Sequence, residues 1–200
     1  EQDDPGFFLS PNGKTDPSSE LAATLAQFFS AELVGRSRQP AQCAFIARYH
    51  WLKEQLQFDP ARLPALSCER FDRWYEDFEV QSISLIFPSA FLNNPASMFG
   101  HTLLRLDPAN LEVSSDWLSI AINFGANVDQ SDNSLFYALE GLSGGYPGFF
   151  IVTPYYKKIR EYNKDENRDI WEYPLNLQPE EIKRLVAHLW ELTDIRIDYY

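Results

Sequence analysis

Two hundred residues, 44% of them hydrophobic and 15% aromatic, are enough to bury a sizeable core in one domain, or in one domain with a smaller appendage. Seventeen basic against 29 acidic side chains leave a formal net charge of -12, which excludes the basic face that a nucleic-acid partner needs. No run approaches the roughly 20 apolar residues of a membrane-spanning helix, and no basic-then-apolar signal peptide opens the chain.

Residues 1–16 are polar and turn-rich, with Pro5-Gly6, Pro11-Asn12-Gly13 and Asp16-Pro17, although Phe7-Phe8-Leu9 should dock. Asp16, Pro17 and Glu20 together predict a helix start: a cap, a proline in the first turn and an acid at the positive end of the dipole. Leu21, Leu25, Phe28 and Phe29 continue it with helical spacing, and it should end before Gly35. A second helix is predicted from about Ala41 to Gln57, stopped by Asp59-Pro60, and a third from Cys68 to Phe78 with the stripe Phe71, Trp74, Tyr75 and Phe78. His50 on the second of these reads as a surface or interhelical residue. Cys43 and Cys68 have two readings: a disulfide, which implies an oxidising compartment, or two buried thiols. Neither has the neighbouring Cys or His of a zinc site.

From Ser82 the texture changes. Apolar strands are predicted at 82–88, 101–106 and 117–124, a short capped helix at 132–142, and strands at Phe149–Val152 and Arg168–Tyr173. Pro179-Glu180-Glu181 opens an amphipathic helix through about Leu192, with His188 on its surface. The class is α+β: a helical module over 1–80, then a small antiparallel sheet with helices over 81–200. The chain lacks an initiator Met and stops in Ile197-Asp198-Tyr199-Tyr200, which reads as a strand cut partway, so a segment of a longer protein is expected.

Chemistry concentrates on one residue. Phosphate-binding glycine loops are absent, Ser143-Gly144-Gly145 reads as helix termination and turn rather than as a nucleophile turn, no metal-ligand spacing occurs, and no cofactor is expected. In Asn94-Pro95-Ala96-Ser97-Met98-Phe99-Gly100-His101-Thr102-Leu103-Leu104-Arg105-Leu106, a small-residue turn delivers His101 to the first position of an apolar strand. An imidazole fixed on a rigid element beside a loop suits a general base, although a lone His at a strand end also serves as a hydrogen-bonded structural residue. If strand 101–106 pairs antiparallel with 117–124, Asn123 or Asn127 comes towards His101 as an orienting partner. The loop from Gly141 to Gly148 offers Tyr146, with Phe149 and Phe150 behind it, as a substrate wall or as packed strand surface. Lys157-Lys158 with Arg160 reads as a solvated face, with contact to anionic lipid headgroups as the alternative. Asp165 and Glu166 read as a charged turn.

The run from Phe87-Pro88-Ser89-Ala90-Phe91 to Gly100-His101-Thr102-Leu103-Leu104-Arg105-Leu106, with Tyr162-Asn163, Arg168-Asp169-Ile170-Trp171-Glu172-Tyr173-Pro174-Leu175 and Asp198-Tyr199-Tyr200, resembles the Lnb N-terminal periplasmic domain family over roughly 81–200. Residues 1–80, with Phe7-Phe8-Leu9-Ser10, Glu20-Leu21, Cys43 and Cys68, resemble the helical module that precedes that domain. The resemblance implies a periplasmic protein, attached to the outer membrane through other parts, and a permuted papain-like fold. It also implies a cysteine acyltransferase acting on a lipoprotein or phospholipid substrate, with His101 as base. In such a protein the strand and loop readings above make Asn123 the expected partner of His101, and Ser97, Tyr146 and Phe149 the expected substrate contacts, and the disulfide is the expected state of Cys43 and Cys68. The family's nucleophile is expected in an Asn-Cys pair beyond Tyr200. Related folds host other chemistry, so a cell-wall cysteine amidase or peptidase, and a non-catalytic binding or scaffolding module, stand as alternatives.

Overall fold

In the computed structural model, residues 5–91, 100–109, 119–126, 146–194 and 197–199 are described, and they divide into two compact units. One unit combines residues 1–74 with 183–198, and the other holds 75–182 with the last two residues.

The first unit is helical. Helix α1 (Pro17–Phe28) starts where the sequence predicts, with the Asp16 carboxylate accepting from the backbone N–H groups of Ser18 at 3.0 Å and Ser19 at 3.1 Å. A short hairpin of β1 (Leu33–Val34) and β2 (Gln39–Pro40) follows, turned by Gly35 at φ 72° and Arg38 at φ 49°. The single helix expected over 41–57 is two: α2 (Ala41–Ala44) and α3 (Ile46–Leu56), broken at Phe45, whose ψ is 56°. The cause is remote in sequence. The Arg48 backbone N–H donates to Glu191 Oε1 at 3.0 Å, and the Arg48 guanidinium lies over the Phe7 and Phe45 rings at 4.5 and 4.2 Å while pairing with Glu20 at 2.7 Å.

Phe28, Ala41, Tyr49, Leu52 and Leu63 form the core of this unit. Cys43 and Cys68 are joined as a disulfide with their Cα atoms 5.3 Å apart, just before helix α4 (Glu69–Phe78). Phe71 and Trp74 of the aromatic stripe pack on Trp190, whose indole N–H donates to the Cys43 carbonyl at 2.9 Å. Trp190 belongs to the last helix, α6 below, so this unit is completed by residues more than a hundred positions further along the chain. His50 and His188 are both exposed, as surface residues should be.

The second unit is built on antiparallel strands: β3 (Val80–Pro88), β4 (Leu103–Pro108), β5 (Ile120–Ala126), β6 (Tyr146–Pro154) and β7 (Ile170–Pro174). Their order in the sheet is β7-β3-β4-β5-β6. The α+β class expected from the sequence is what the chain adopts. Like the β1–β2 hairpin of the first unit, two elements of this unit have no counterpart in the sequence reading: α5 (Tyr155–Arg160) and a π-helical turn, Glu161–Asp165. They cover one sheet face, where Tyr155 and Tyr162 pack with Ile86, Leu103 and Ala121. On that same face Arg105, 7% exposed, donates to Asp107 at 2.8 Å and to both oxygens of Glu172, and Ser119 donates to Asp107 at 2.6 Å. Helix α6 (Pro179–Thr193) carries Glu180 and Glu181 in its first turn and leads back into the first unit. The helix expected at 132–142 lies outside the described residues.

Candidate active site

His101 sits two residues ahead of β4 rather than at its first position, because the ladder to β3 begins at Leu103 opposite Ile86. Its backbone is nonetheless tied to the sheet, with the His101 N–H donating to the Pro88 carbonyl at 3.3 Å. Gly100 makes that approach possible. It adopts φ 90°, and a Cβ there would lie 2.9 Å from Phe87 Cζ and 3.2 Å from the Pro88 oxygen.

The expected pairing of β4 with β5 is present and antiparallel, with Leu103 opposite Asn123 and Leu106 opposite Ile120. Continued two residues past Leu103, that register runs level with Gly125, which pairs in turn with Phe149. Alternation along β5 puts Gly125 and Asn123 on one face. A Cβ on Gly125 would meet Asn123 Nδ2 at 3.5 Å and Ile151 Cδ1 at 3.6 Å, so the Asn123 amide flanks the row towards which His101 leads. Asn123 is 6% exposed, and its Oδ1 has no hydrogen-bond partner among the described residues. The same holds for Thr153 Oγ1, on the diagonally adjacent position of β6. Buried polar atoms without partners are rare enough to call for an explanation.

Phe149 shares this face, whereas Tyr146, three residues earlier in β6, is buried towards the opposite face. The two aromatic residues taken from the sequence as one substrate wall are therefore separated by the sheet. Ser97, Asn127 and the loop from Gly141 to Gly145 lie outside the described residues.

Charged groups of α5, of the π-helical turn and of the residues just after it act on His101. Burial pulls its imidazole below the ordinary histidine value, Lys158 and Arg168 add to that, and Glu161 and Glu166 oppose it. Of the basic cluster, Lys157 and Arg160 are exposed as the sequence suggests, but Lys158 is not. Lys158 is half-buried, paired with Glu161 at 2.8 Å and 5.7 Å from the Tyr162 ring centre. Glu166 is likewise no solvated turn residue, since it pairs at 2.8 Å with Arg168, whose side chain is 1% exposed. Beneath both cations Tyr162 is buried, which pushes its phenol up. These groups were not legible as site residues from the sequence, where only a basic cluster and the Tyr162-Asn163 and Arg168-Asp169 runs marked the region.

An imidazole whose uncharged form is favoured, leading towards a row that carries a buried amide and an aromatic, can take and return a proton, provided a nucleophile reaches it. Neither cysteine of the chain can serve, since both are in the disulfide. No cluster of three or more metal-ligating side chains occurs among the described residues, and no described helix is long and apolar enough to cross a membrane. Residues 70–200 match the Lnb N-terminal periplasmic domain, and residues 1–55 match a domain of unknown function, DUF7843. No curated protein and no solved structure matches the chain.

Proposed function

The chain belongs to the Lnb N-terminal periplasmic domain family and is a periplasmic protein, and on that premise we propose that it carries the general base of a cysteine-dependent acyltransferase acting on lipoprotein or lipid acyl chains. The observation that carries the reading is the setting of His101. A base must be uncharged to accept a proton, and burial together with Lys158 and Arg168 favours that form. Asn123 is the orienting partner. The two ends of an amide exchange by a half-turn, and with Oδ1 turned to the Gly125 side Asn123 accepts the imidazole N–H.

The thiol comes from a cysteine outside these 200 residues. His101 takes the thiol proton as the thiolate adds to an acyl ester carbonyl; the ester C–O bond breaks, and the alcohol leaves with that proton. An amine then attacks the thioester, the C–S bond breaks, and the amine proton passes through His101 to the departing thiolate. Phe149 and Ile151 give the acyl chain an apolar surface beside Gly125. Lys157 and Arg160, exposed on α5, meet anionic headgroups of the membrane to which other parts of the protein attach, the outer membrane in this reading. The test compares lipoprotein N termini by mass spectrometry in cells expressing the whole gene with His101 intact or as His101→Gln. Loss of the N-linked acyl chain is expected, and undiminished acylation would rule His101 out as the base.

A further inference from the structure

The Pro88 carbonyl accepts two hydrogen bonds, from the His101 backbone N–H at 3.3 Å and from Arg168 Nη2 at 3.1 Å. The same guanidinium donates through Nε to the Ser89 carbonyl at 2.6 Å and through Nη1 to Glu166 at 2.8 Å, and it lies 4.8 Å from the Tyr162 ring centre. Two carbonyls, one carboxylate and one aromatic face thus hold a buried cation whose fork geometry lysine cannot reproduce.

Strand pairing does not need this clamp. β3 and β7 are already in register from Ser84 opposite Pro174 to Pro88 opposite Ile170, and the Ser89 N–H donates to the Asp169 carbonyl at 2.8 Å just beyond. What the guanidinium adds is a fixed direction for the last carbonyl of β3, the one on which His101 hangs. The segment that supplies Tyr162 and leads to Arg168 is a π-helical turn, an irregularity found disproportionately at functional sites.

We propose that Arg168 is the positioning residue of His101: it holds the Pro88 carbonyl that anchors the His101 backbone and, balanced by Glu166, sets the charge beside the imidazole. The proposal deepens the reading of His101 as the base and rests on it. Among the described residues, the charged groups that act on His101 are Lys158 and Arg168 on the positive side and Glu161 and Glu166 on the negative. Removing Arg168 must therefore raise the imidazole pKa, and removing the Glu166 charge must lower it.

The experiment follows the His101 imidazole and backbone amide by NMR in the whole chain, in Arg168→Gln, Arg168→Lys and Glu166→Gln. Arg168→Gln is expected to raise the His101 pKa and to speed exchange of its amide about tenfold, as loss of the anchored acceptor requires. Arg168→Lys keeps the charge and loses the fork, so the amide exchanges faster while the pKa stays close to that of the parent. Glu166→Gln shifts the pKa the other way. Opposite signs cannot both come from loosening of the fold; if Arg168→Gln fails to fold, a pKa that does not fall in Glu166→Gln overturns the proposal by itself. Shifts of one sign in the Gln variants, or an unchanged His101 amide in Arg168→Lys, would overturn the proposal. No turnover is needed, so this outcome is separate from that of the lipoprotein test, which decides whether His101 is a base at all.

Discussion

Replacing both Cys43 and Cys68 with alanine removes a covalent link between residues 25 apart in sequence, and its effect follows from chain statistics. Closing a loop of that length in the unfolded chain removes conformational entropy worth about 3.5 kcal/mol at room temperature. Alanine adds no buried polar group at these sites, which are 3% and 9% exposed, so the loop term should dominate. With a urea dependence of about 1–3 kcal/mol per molar, the unfolding midpoint falls by roughly 1–3 M. Tryptophan fluorescence is the appropriate probe, because the Trp74 and Trp190 rings lie 5.5 Å apart, tilted by 53°, in the same unit and the Trp190 indole is bonded to the Cys43 carbonyl. Thiol labelling of the unreduced parent should find no free cysteine. A double variant that unfolds at the parent's midpoint would refute the argument that this bridge restricts the unfolded chain.

Gly100→Ala should destabilise the chain by about 1–3 kcal/mol in denaturant melts, since it forces a side chain onto φ 90° and against Phe87 and the Pro88 oxygen. Arg105→Ala leaves Asp107 and Glu172 without their shared cation and should cost about 3 kcal/mol, less if water reaches the half-exposed Glu172; a melt within a few tenths of a kcal/mol of the parent's would make the network dispensable. His101 has a folded pKa below its unfolded one, so the unfolded state binds more protons between the two values. Its contribution therefore weakens the fold as pH drops through that window. Stability of His101→Gln, followed from pH 8 to 5, should accordingly fall less than the parent's. A variant that falls as steeply as the parent would show that this imidazole is not the group responsible.

The strands are legible because they carry apolar runs, three of them closed by Phe87-Pro88, Asp107-Pro108 or Tyr173-Pro174, whereas the register of 101–106 against 117–124 is not fixed by the sequence and comes from the structure. His101 stood out for the same local reasons: Gly100 before it and an apolar strand after. The break at Phe45 was hidden because its cause, Glu191 accepting the Arg48 N–H, is 143 residues away. Arg168 was hidden for a related reason. It lies among Lys, Asp, Glu and Asn residues that read as a solvated run, and a π-helical turn has no hydrophobic period to announce it. Phe149 shares the Asn123 face because it pairs with Gly125, two residues on from Asn123, whereas Tyr146 differs from Phe149 by an odd number of residues and so faces away, a distinction that needs the register. The return of Lys183–Asp198 to the helical unit has no local signature either, because helix α6 is amphipathic whichever core it serves.

The claim at the centre of this account is that an uncharged His101 moves the proton in acyl transfer. Acylation of lipoprotein N termini by the whole protein, measured against pH for the parent and for His101→Gln, tests it most directly. The account predicts a parent activity that rises with pH through a midpoint below the ordinary histidine value and is lost in the variant; a variant that retains activity with the parent's pH profile would contradict it.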